Sequence, residues 1–180
     1  MTVFEKYLND SDIWEYRLIP AQQIPFSQAV ADACQTNQCG KYGTCWTCPP
    51  AAGHFTQWQQ RVLQFQTAAV FTCKYPLEDC FDFEGMIMGQ QKTMESLYHI
   101  TDDLRKSGVC YLALGCEGCS LCPQCTYPDA PCRFPERATV SVEACGIDVV
   151  SLSRNIGIKY NNGPNTVTYF CIILFGGHRP

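Results

Sequence analysis

With 180 residues, 46% of them hydrophobic and 17% charged, the chain has material for one packed core and the length of a single domain. A formal net charge of −4 without any basic stripe interleaved with aromatics excludes a nucleic-acid surface, and the aromatic content without long like-charge runs excludes a disordered chain. No apolar run is long enough to span a bilayer, and the opening ten residues reach charge before a secretory leader can develop, so a cytoplasmic location with no membrane partner is expected.

In chain order, residues 13–19 predict a strand in which Trp14, Tyr16 and Leu18 alternate with Glu15 and Arg17. Residues 25–34 predict a short helix with Ser27 as its N-cap. A turn-rich stretch over 35–53 follows, then a helix over 54–65 on which Phe55, Trp58, Val62 and Phe65 recur at helical spacing. Residues 67–73 predict a buried strand. A long helix is expected over 81–106, with Ile87, Met94, Leu97, Ile100 and Leu104 forming its apolar stripe and Gly108 its stop. Residues 109–114 predict a second buried strand, 141–144 a short helix, 149–155 another helical turn or two, and 166–174 the last strand, after a turn at 161–164. Few strands alternate with few helices, so the expected fold is α+β: residues 1–180 as one compact domain, a small sheet with helices, and two cysteine-rich loops over 34–50 and 115–135.

Fourteen cysteines in a reducing compartment point to metal ligation or thiol chemistry rather than to disulfides. The sharpest pattern is Cys119-x2-Cys122-x2-Cys125, followed after six residues by Cys132 and then Pro135. Three thiolates on one small loop suit the corners of a [4Fe–4S] cubane, and a fourth cysteine near a proline resembles the bacterial ferredoxin run, whose last interval is shorter. Zinc is the alternative; it takes four thiolates in a tetrahedron, usually as two C-x2-C pairs from separate turns. Cys116 extends the ladder by one more step; it is open as a substitute ligand, a thiol behind the ligands or a bystander, with bystander the favoured reading. The earlier loop carries Cys34, Cys39, Cys45 and Cys48 at looser spacing; Gly40 and Gly43 suit a tight wrap that brings backbone amides to an inorganic body, and Pro49-Pro50 ends it stiffly. A second cluster and a zinc knuckle built on Cys45 and Cys48 are both open there. Cys73, Cys110 and Cys171 lie in apolar strand patterns, where cysteine packs as a small hydrophobe, and Cys80 and Cys145 are isolated. His54, His99 and His178 form no ligand-spaced pair.

Cys34-x4-Cys39-x8-Cys48-Pro49-Pro50, then Gly118-Cys119-x2-Cys122-x2-Cys125-x6-Cys132-Arg133-x-Pro135, then Glu143-Ala144-x-Gly146-Ile147-Asp148-Val149 resemble a family of predicted metal-binding proteins, DUF2284. The resemblance runs from about Ile13 to Leu174. It implies two ligand sets, Cys34, Cys39 and Cys48 in the first and Cys119, Cys122, Cys125 and Cys132 in the second, with Cys45 an addition that could close the first. Where the family commonly has Pro-Ser-Met-Glu-Ala, this chain has Val140-Ser141-Val142-Glu143-Ala144; Cys116 and Cys145 are also departures.

A triplet beside a quartet implies that one cubane could keep an iron open to an outside ligand, where it would act as a Lewis acid. Two function classes follow. One is an electron carrier that delivers low-potential electrons to a redox partner protein in an anaerobe. The other is an iron–sulfur-dependent lyase, desulfurase or reductase acting on a small molecule; a zinc-stabilised interaction module is the alternative to both. Arg133, Glu143 and Tyr42 are the polar candidates for substrate contacts, with Arg133 equally suited to a salt bridge with Glu136 or Glu143, and Tyr42 and Trp46 are expected to shield the first cluster. No dinucleotide fingerprint or P-loop is present.

Overall fold

The computed structural model describes Tyr7 and residues 12–177. His178 and, Tyr7 apart, the opening decapeptide lie outside the described residues. The two most apolar stretches make the centre of the sheet: β2, Phe65–Pro76, pairs antiparallel with β5, Thr166–Gly177, from Phe65↔Gly177 to Pro76↔Thr166. β1, Ile13–Pro20, flanks β2 antiparallel, while β3, Tyr111–Gly115, lies antiparallel on the far side of β5. β4, Val140–Ser141, joins β3 in parallel, giving the order β1-β2-β5-β3-β4. The fold is α+β, as expected, with a mixed five-stranded sheet.

Because β2 and β3 both run antiparallel to β5, they are parallel to each other, and the long α3, Phe83–Lys106, is the crossover between them. Side chains alternate across the sheet. Ala69, Phe71, Cys73, Ala113, Cys171 and Ile173 meet Met94, Leu97, Ile100 and Leu104 of α3. On the other face Ala68, Val70, Leu114, Ile172 and Leu174 meet Trp58 and Val62 of α2, Phe55–Val62, and Leu152 of α4, Val149–Ile156. Phe71, Leu97, Leu104 and Ile172 are fully buried, and each such side chain stabilises the fold by about 1.5–3 kcal/mol. Cys73, Cys145 and Cys171 are core residues, and Cys80 is exposed.

Helix starts follow local chemistry. Asp82 accepts the Gly85 N–H at 2.8 Å at the start of α3, and His54 and Gln57 form a reciprocal capping box on α2. α1, Gln28–Gln35, begins after Ser27 as predicted, although the Ser27 side chain makes no cap hydrogen bond. Three expectations need correction. The helix expected over 141–144 is absent: Ser141 pairs with β3, and residues 142–146 form turns that close at Gly146, φ 75°, a backbone conformation suited to glycine. Ile87 is 53% exposed rather than part of the buried stripe of α3. Along the edge strand β1 the expected apolar set does not pack as one: Trp14 and Leu18 are exposed, Ile13 and Tyr16 pack on the α3 face, and Ile19 packs on the other. The parallel pair β3–β4 positions the candidate site, since both strands end beneath the cysteine loops.

Candidate metal centre

The two cysteine loops meet at the ends of β3 and β4. Gly115 closes β3 against α3, where a Cβ would lie 2.9 Å from both Sδ and Cε of Met94, and its carbonyl accepts the Val142 N–H at 3.0 Å. From this pinned end the chain delivers Cys116, Glu117 and Gly118; from β4 it delivers Ser141, Glu143 and Ala144. The first loop folds over them. Cys34 rides on the last turn of α1, and a turn from the Cys45 carbonyl to the Cys48 N–H, 3.3 Å, folds the C-x2-C pair back.

Two cavities result. In the smaller, about 120 Å³, Cys119, Cys122, Cys125 and Cys132 line one space together with Cys45, Trp46, Arg133 and Phe134. In the larger, about 340 Å³, Cys34, Cys39 and Cys48 line one space together with Cys116, Tyr42, Glu117 and Glu143. A buried water needs only about 10–15 Å³ of such space, so both cavities suit a polyatomic body. Among the described residues, no group of three or more His, Cys, Asp or Glu side chains is drawn together around a single metal-ion position.

The cavities share a wall. Cys45 faces one and Cys48 the other, both thiols are buried, and Lys41 borders both spaces. A Cβ on Gly118 would lie 2.8 Å from Cys48 Sγ and 3.8 Å from Cys45 Sγ, so the second loop crosses this pair where only glycine fits. Thr47, between the two cysteines, is 5% exposed; its Oγ1 accepts the Cys119 N–H at 3.0 Å and lies 3.5 Å from Cys45 Sγ. Trp46 donates its indole N–H to the Ala130 carbonyl at 3.1 Å and stands edge-on to Tyr127 at 5.0 Å. The end of the second loop is tied to α3 by Arg137, whose Nη2 reaches Asp102 at 3.0 Å.

Electrostatics around the thiols follow from enclosure. The neighbouring Cys48 thiol draws Cys45 well below an ordinary thiol; the same neighbour, then burial, pushes Cys48 up. Burial pushes Cys34 up, with Glu143 and Cys39 adding to it, and burial likewise raises Cys119. Glu143 opens onto the cavity interior, yet the surrounding walls displace enough water to push its carboxyl above the usual range. A bound cation would reverse this order for the thiols, because a coordinating thiol is deprotonated outright.

Several sequence-based expectations change in detail. Cys45, considered as a closing ligand for the first set, borders the cavity of the second. Trp46 also belongs to that second cavity, whereas Tyr42 borders the first as expected. Gly40 and Gly43 adopt φ of 69° and 68°, but their N–H groups close turns onto the Asn37 and Pro49 carbonyls, so they shape the wrap rather than donate into it. Arg133 is directed by a 2.9 Å bond from Nη1 to the Gln124 carbonyl and not by Glu136 or Glu143. Thr47 belongs to no motif in the sequence; its position inside Cys45-x-x-Cys48, where a small hydroxyl can reach a neighbouring loop, is the one signal for it. No helix among the described residues is long and apolar enough to cross a membrane.

The donor set at each cavity is thiolate, which suits soft or borderline metals and iron–sulfur centres. Neither a curated protein nor a solved structure matches the chain. The family model described as predicted metal-binding protein (DUF2284) matches residues 17–175, which takes in both cysteine loops, all of β2, β3 and β4 and parts of β1 and β5, and the chain belongs to that family.

Proposed function

We propose that this chain is an iron–sulfur protein with two [4Fe–4S] centres, one held by Cys119, Cys122, Cys125 and Cys132 and one held on Cys34, Cys39 and Cys48, and that it carries electrons between a donor and a partner protein. The observation that carries this reading is the common wall: two thiol-lined cavities stand back to back across the Cys45–Cys48 segment and Gly118. Bound there, such centres supply one-electron chemistry at potentials set by thiolate ligation, hydrogen bonds to sulfur and solvent exposure.

The protein's own residues then have definite tasks. Trp46, Tyr127 and Phe134 exclude water from the smaller cavity, and Tyr42 and Pro49 do so at the larger. Thr47 holds the backbone of one loop to the other, which fixes the separation of the two centres. Lys41, near Glu117, offsets negative charge that builds up on reduction. A zinc module is less well supported, because a zinc ion draws four sulfurs to about 2.3 Å from one point and fills no cavity of this size.

One observation favours a second reading. The larger cavity, about 340 Å³, is lined by Glu143 as well as by thiols. A small molecule bound there would meet a carboxyl able to exchange a proton with it, as a lyase, desulfurase or reductase requires. Reductive titration followed by EPR separates the readings. Two reducible centres with a mutually broadened signal, unchanged by added small thiols, support electron transfer. A single isolated signal that shifts on adding small thiols supports the enzyme.

A further inference from the structure

Three of the four thiols at the larger cavity are matched by the family motif; the fourth is not. We infer that Cys116 is the missing sulfur ligand, so that Cys34, Cys39, Cys48 and Cys116 together occupy all four corners of one centre and leave no iron open. This inference rests on the iron–sulfur reading above and decides between its two forms.

Position is the first support. Cys116 lines the same space as Cys34, Cys39 and Cys48, although it is 68 residues beyond Cys48 in a different loop. It directly follows Gly115, whose backbone is bonded to Val142 and pressed against Met94, so its sulfur is set by the sheet and not by a free loop. Weak prior engagement is the second. Cys116 Sγ makes a long 4.0 Å approach to the Gln90 carbonyl, a contact readily exchanged for a metal. Orientation is the third. Behind Cys116, the fully buried Cys171 of the neighbouring strand belongs to the core cluster that Cys116 packs against, so the backing of the thiol is fixed, as the surroundings of a ligating thiolate must be. Finally, the next cysteine, Cys119, turns to the smaller cavity, where it is one of five thiols, so Cys116 is not needed there. Ligation forms one Fe–S bond and releases the Cys116 thiol proton to solvent, with no change in oxidation state.

The test uses the full chain purified anaerobically as wild type, Cys116→Ser, Cys116→Asp and the exposed-site control Cys80→Ser. Iron and sulfide are assayed, and the EPR of the reduced protein is recorded with and without imidazole. The inference predicts a wild-type and Cys80→Ser spectrum indifferent to imidazole. It predicts that Cys116→Ser either loses roughly half its iron or gains an imidazole-dependent shift in one of two signals. Cys116→Asp, which offers oxygen at the same place, should keep iron with altered g-values. A wild-type signal that already shifts with imidazole overturns the inference, and that arm stands whether or not the variants fold. Iron content, g-values and imidazole response unchanged in Cys116→Ser overturn it equally. Wild-type protein with neither iron nor sulfide instead overturns the iron–sulfur reading itself.

Discussion

The Cys119 backbone N–H donates to the Thr47 hydroxyl at 3.0 Å, and through that bond the two cysteine loops, more than seventy residues apart in the chain, are fixed to one another. The bond is part-buried at the common wall, with Thr47 itself buried, so its loss leaves the Cys119 N–H without its protein partner. Such an orphan costs about 1–3 kcal/mol.

Thr47→Val therefore should lower the urea midpoint and also deplete iron, since the proposal makes Cys119 the first ligand of its set. Thr47→Ser keeps the hydroxyl and should behave as wild type. Equal midpoints and equal iron content in Thr47→Val and wild type would show that Thr47 does not join the loops.

Gly118→Ala tests the shared wall from the other side. The added methyl would come to 2.8 Å from Cys48 Sγ, closer than carbon and sulfur normally approach, and the thiol on its short stem can yield only by leaving the cavity wall. Strain of this kind costs about 1–3 kcal/mol. Iron should fall, and the broadening between the two EPR signals should weaken. A variant with full iron and an unaltered spectrum would show that the wall has slack.

How far these relationships could be read in the sequence depends on their range. β2, β5 and the buried stripe of α3 were legible because apolar periodicity is local, and the gathering of Cys119, Cys122, Cys125 and Cys132 around one cavity was legible because all four come from one loop. The larger cavity was not. Its walls come from the end of α1, the first loop, the end of β3 and the turn after β4, and the parallel pairing of Leu114 and Gly115 with Val140 and Ser141 brings the last two together. Cys45 and Cys48 read as one knuckle, yet they line different cavities, with Gly118 of the second loop packed close to both sulfurs. Residues 141–144 carry helix-forming residues and a plausible cap, and β-pairing at Ser141 outweighs that local preference.

Trp46 should matter for lability more than for folding. Its indole N–H to the Ala130 carbonyl and its edge contact with Tyr127 hold the second loop closed over the smaller cavity. Trp46→Phe keeps an aromatic ring and loses the hydrogen bond, a change of about 1 kcal/mol. The expected result is faster bleaching of the visible absorption in air, with the reduced signal of the other centre unchanged. Identical bleaching rates would contradict the shielding role.

Acid should weaken the helix after the β4 turn. The Ser151 hydroxyl at 2.6 Å and the Ser151 N–H at 3.0 Å both donate to Asp148 and hold its carboxyl below the ordinary range. A depressed folded pKa contributes stability that is present above the unfolded value of about 3.9 and is lost as pH falls through the folded one. Asp148→Ala should thus cost about 1 kcal/mol at neutral pH, with the gap to wild type closing below about pH 4. Urea midpoints of both proteins across that window check the sign; a gap that widens in acid would refute it.

The most direct measurement is the iron, acid-labile sulfide and zinc content of anaerobically purified protein. Two filled cubanes require about eight irons and eight sulfides per chain, with negligible zinc, and that is the result expected. One or two zinc ions per chain without sulfide would contradict the iron–sulfur reading and identify the cysteine loops as structural zinc sites.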